Sequence, residues 1–162
     1  MAEKEDKLGE LKKKYLEIQK QYDLPSFEQL NQDFHIERVA EVQTDYLIRE
    51  LRRFIADKFS NYLRFIESVL NPVNVPMFVF SVVKAMQIED KKRLTDAYKA
   101  LSKMEIRLVE IDIEFSEEKE AEFIKESYAV WQEIKKDILK FVGSVKSNWD
   151  NKVETNGKGY FG

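Results

Sequence analysis

A chain of 162 residues with 35% charged residues, five glycines and three prolines is long enough for one hydrophobic core and poor in the turn residues that β-rich folds need. It has no cysteine, which excludes disulfides, thiolate metal sites and a thiol nucleophile. With 27 basic against 30 acidic residues, the net charge of −3 gives no general attraction to nucleic acid or anionic lipid, so any such contact needs a local patch.

The opening MAEKEDKLGELKKK is charged from its third residue and has no apolar signal core, which together with the lack of cysteine predicts a cytoplasmic protein. Leu8, Leu11, Tyr15, Ile18 and Tyr22 alternate at three and four residues, predicting a first helix from about Glu3 to Tyr22. Pro25 ends it, and Ser26 with Gln29 has capping-box spacing for a short helix reaching Phe34. His35, the only histidine, reads as a surface or capping residue, because a catalytic triad or zinc site needs more partners than the sequence offers.

A central helix is expected from about Val39 to Leu70. Ile48, Leu51, Ile55, Phe59, Tyr62, Ile66 and Val69 keep helical spacing, and Leu47, Phe54, Leu63 and Leu70 widen the stripe. So broad a stripe suits a helix buried by several neighbours. Next comes the stretch from Ser68 to Val83, 16 residues without a charge. It falls short of the roughly 20 that a membrane-spanning helix needs, and Asn71, Pro72, Asn74 and Pro76 interrupt it. It predicts a helix-turn-helix hairpin at Asn71–Pro76 whose second helix, apolar at Met77, Phe78, Phe80, Val82, Val83 and Met86, is buried on nearly all sides. Exposure of Phe78, Phe80 or Val82 would instead mark a partner site.

After Asp90, Leu94, Ala97, Leu101, Met104, Leu108, Ile111 and Phe115 fit a coiled-coil-like heptad. The run VEIDIEF also alternates with period two, but no second strand candidate exists to pair with it. Ser116 is the expected N-cap of a last helix carrying Ile124, Trp131, Ile134, Ile138, Phe141 and Val145. The end, NKVETNGKGYFG, has no period and reads as a flexible tail over 150–162, where Tyr160 and Phe161 are candidates to touch the bundle or a partner. The sum is an all-α antiparallel helical bundle, with about four long helices and short ones, forming one domain over 1–149.

Neither a P-loop, GxGxxG, GxSxG nor HExxH occurs. Acidic residues concentrate between Glu110 and Glu126, and Glu114, Glu117 and Glu120 supply the Glu-x-x-Glu half of the magnesium pattern of all-α nucleotide pyrophosphohydrolases. The other half fails, since Glu133 and Asp137 lie four apart where three are needed. A di-iron site would need two Glu-x-x-His motifs, and none is present. The plainer reading is a solvated acidic surface. Arg49, Arg52 and Arg53 form a candidate phosphate contact, although Asp45 and Asp57 stand four residues away to neutralise two of them. No aromatic residues alternate with the lysine groups, so nucleic acid is not favoured. The expected function is a non-catalytic helical interaction protein without a cofactor, a subunit or adaptor that meets itself or a protein partner. The alternatives are a metal-dependent hydrolase of phosphorylated small molecules and a nucleic-acid-associated factor.

Overall fold

A computed structural model describes the backbone of residues 2–157 and the side chains of residues 5–151. Among them are α1 (Ala2–Tyr22), α2 (Phe27–Phe34), a 3-10 helix (Ile36–Glu41), α3 (Leu47–Leu70), α4 (Met77–Ala85), α5 (Ile88–Ile113) and α6 (Glu117–Gly157), with no strand. The fold is an all-α helical bundle. Its packing groups into two compact units, Met1–Phe59 with Met104–Val130 and Ser60–Lys103 with Trp131–Gly162. The helices α3, α5 and α6 each give a segment to both.

In the first unit the link between α1 and α2 is fixed by caps. Asp23 adopts the left-handed conformation, and the Leu24 N–H donates to the Gln19 carbonyl at 3.2 Å, the longer bond of a Schellman stop. Pro25 follows, and its carbonyl accepts the Tyr15 hydroxyl at 2.6 Å while the Tyr15 ring meets Phe27 edge-on at 5.5 Å. The Ser26–Gln29 capping box forms with both reciprocal bonds, at 2.8 and 3.2 Å. At the other end of α2, His35 takes the left-handed conformation and its N–H closes on the Asn31 carbonyl at 2.9 Å. Histidine thus serves as an exposed cap, as the sequence suggested. The central helix, however, begins at Leu47 and not near Val39. Ile36–Glu41 coils as a 3-10 helix that buries Ile36 and Val39, and the Thr44 hydroxyl accepts the Tyr46 N–H at 3.0 Å. Thr and Asp side chains compete for backbone in this way, and Thr44 and Asp45 break the helix before it can extend upstream. Segments of α5 and α6 complete this unit as an antiparallel hairpin turned at Glu114–Ser116, with Ser116 capping Lys119 N–H at 3.1 Å.

In the second unit the expected turn is present. Asn71 N–H closes the end of α3 on the Glu67 carbonyl at 2.9 Å, Asn74 is left-handed, and Pro76 is the N-cap of α4. The expectation of burial all round α4 fails. Only Val79, Val82 and Ala85 are buried, on one side of the helix, while Met77 is 77% and Phe78 60% exposed and Phe80 is 38% exposed. A nine-residue helix with one face against its neighbours leaves the other in solvent, whatever its side chains. Val82 is therefore core and does not belong to a partner surface. The start of α5 is held by Asp90, which is fully buried and accepts from Gln87 N–H at 2.9 Å, Arg93 at 2.9 Å and the Ser144 hydroxyl of α6 at 2.6 Å. Ring pairs Tyr62–Trp131 and Phe65–Phe141, at 5.1 and 6.4 Å, join α3 to α6.

The heptad of α5 is buried at Leu94, Ala97, Leu101, Met104 and Ile111, so this stripe packs within the chain; Phe115 lies beyond the helix end and is half exposed. α6 continues to Gly157, into the stretch read as a tail, while Tyr160 and Phe161 lie outside the described residues. Among the described residues no helix is long and apolar enough to cross a membrane.

Candidate functional site

Arg49, Arg52 and Arg53 of α3 do not gather. Arg49 and Arg52, three residues apart on one face, turn inward to a single carboxylate, Glu120 of α6. Arg52 Nη2 lies 3.3 Å from Glu120 Oε1, and Arg49 Nε lies 3.8 Å from the same oxygen. Asp112 on α5 approaches Arg52 at 4.0 Å. The Arg49 guanidinium also sits over the Phe115 ring at 4.5 Å and the Tyr46 ring at 5.2 Å. Arg53 instead pairs with Glu50 at 2.9 Å, on its own helix. The sequence assigned Asp45 and Asp57 as neutralisers, but a helix face pointing into the bundle finds its partner on another helix.

Glu120 is fully buried, and burial pushes its carboxyl above the ordinary glutamate value despite the pull of Arg52 and Arg49 in the other direction. Its Oε2 has no hydrogen-bond partner, nor do the buried Arg52 Nε and Ser127 Oγ. The chemistry here is that of a structural ion pair. Glu114 is exposed and bonded to Lys119, whose ammonium holds it below the usual carboxylate range. Glu117 accepts the Tyr22 hydroxyl at 3.0 Å. The three acids proposed as metal ligands thus go to three different partners, and among the described residues no group of three or more His, Asp or Glu side chains is placed to hold a metal ion. Sequence reasoning missed the Glu120 pair, yet a signal was present: Glu120, Ile124, Ser127 and Trp131 are spaced four, three and four, which sets the acid on the apolar stripe of α6.

A cleft of about 560 Å³ in the first unit is lined by Lys7, Leu8, Glu37, Arg38, Ala40 and Glu41. Its lining sets Leu8 and Ala40 among two basic and two acidic side chains, which present no single charge to a ligand.

What remains is the apolar surface at the start of α4. Met77 and Phe78 stand in solvent with Val73 of the preceding turn, and the Phe78 ring lies 6.1 Å from Trp149 of α6. Phe80 extends the exposure along α4. Of the three residues whose exposure would mark a candidate partner site, Phe78 and Phe80 are exposed and Val82 is buried. No family model, curated protein or solved structure matches this chain.

Proposed function

We propose that this chain is a non-catalytic helical interaction protein, a cytoplasmic subunit or adaptor that docks a partner protein on the apolar surface at the start of α4. The reading is carried by Met77 and Phe78, two large apolar side chains left 77% and 60% exposed within a stretch that has no charge. Folded chains rarely leave contiguous apolar surface in water unless something covers it, and aromatic side chains with a hydrophobic surround are the usual anchors of protein interfaces. The cytoplasm is the compartment that a cysteine-free sequence suits.

The test is affinity capture from the source cells with the wild-type chain and with a Met77→Asp/Phe78→Asp double variant as baits. Both positions are exposed, so the variant keeps its fold. Partners held by the wild type and lost by the variant support the reading; identical sets from the two baits end it.

A further inference from the structure

The outer face of α5 carries Ile106, Val109 and Ile113, spaced three and four apart and 65%, 58% and 77% exposed. They lie on the side of the helix away from the buried Met104 and Ile111, so they form a stripe that no described residue buries. Along one edge of that stripe the exposed charges come in a fixed order. Lys99 and Lys103 precede it, and Glu110 and Glu114 stand at and beyond its far half, at spacings of four, seven and four.

We infer that this face is where a second copy of the chain docks, with the two α5 helices antiparallel about a two-fold axis beside Arg107. In that register Ile106 of each copy meets Val109 of the other, and Ile113 covers Ser102. Lys103 faces Glu110 on the same edge, and Lys99 faces Glu114. The apolar and charged pairings share nearly one centre, which is what an isologous surface requires. The antiparallel pairing sets the lysine half of this edge in each copy against the glutamate half in the other, so the order of charge along it complements a second copy in that direction. Glu110 already accepts from Arg107 through Oε2 at 2.8 Å, which leaves Oε1 for Lys103 of the other copy. This surface is separate from α4 and stands whether or not the docking proposed there is right.

Sedimentation equilibrium of the full chain from about 1 μM to about 1 mM tests it, with circular dichroism to show that each variant keeps its helicity. A concentration-dependent dimer is expected. Val109→Asp and Ile106→Asp each weaken it more than about tenfold, because a carboxylate enters an apolar seam twice per dimer. Lys103→Glu and Glu110→Lys each weaken it about tenfold, and the double exchange restores affinity to within about threefold. A monomer throughout the range overturns the proposal, as does a dimer that Val109→Asp leaves intact. A double exchange no tighter than its singles overturns the antiparallel register, and loss of the dimer on Met77→Asp/Phe78→Asp moves the contact to α4.

Discussion

Glu120 shows how far one residue's behaviour departs from its type. Ionising it in the folded chain works against burial, and two arginines on α3 only partly offset this. Since its carboxyl is raised on folding, its contribution to stability is complete below the ordinary glutamate value of about 4.3 and declines as pH rises through the higher folded value. Glu120→Gln imitates the protonated form. We expect it to match or exceed wild-type stability at pH 7 in urea unfolding, and the gap between the two to close as the wild type is acidified toward pH 4.5. Glu120→Ala is different, because it leaves Arg49 and Arg52 facing an empty site, and a loss of about 3 kcal/mol is expected. Were Glu120→Gln as damaging as Glu120→Ala at pH 7, the ion pair would outweigh burial and the pH dependence would have the opposite sign. The acid's stripe position was readable in the sequence, whereas its partners were not. Arg52 is 68 residues away, and no local spacing relates the two.

At the scale of single elements, caps were the most legible features. Ser26–Gln29 and Ser116 act where their spacing placed them, since a cap is satisfied by backbone only a few residues away. The start of α5 adds a longer-range anchor. Asp90 serves the Gln87 N–H from the third helical position and also takes Arg93 and Ser144, so one buried carboxylate both starts the helix and ties it to α6. Asp90→Ala leaves three donors without an acceptor. Chemical denaturation is expected to show a loss of about 3 kcal/mol, against less than about 1 kcal/mol for Ser144→Ala, which removes one hydroxyl and leaves Asp90 two of its donors. Equal effects from the two would deny Asp90 its capping part. α4 was the element read least well. Its composition is apolar on every side, and composition carries no information on how many neighbours a nine-residue helix meets.

For the whole molecule, the long helices decide the thermodynamics. Because α3, α5 and α6 are each continuous through both compact units, local melting of one unit would have to break helices that the other holds, and the chain is expected to unfold as one cooperative domain. Leu51→Ala in the first unit and Leu101→Ala in the second both empty fully buried positions, and each is expected to cost about 3 kcal/mol. Calorimetry then shows a single transition moved down by either substitution; two transitions, with each substitution moving only its own, would refute the single-domain expectation. By itself the sequence determined that the chain is helical, that it turns at Pro25, at Asn71–Pro76 and at Ser116, and how two of its helices are capped, because periodicity, proline and cap chemistry act over a few residues. Only the tertiary structure decided that Glu120 meets Arg52, that Val82 is core while Met77 and Phe78 are not, and that Ile106, Val109 and Ile113 are exposed. Burial is set by which other helix arrives at a face, and that depends on residues far away in the chain.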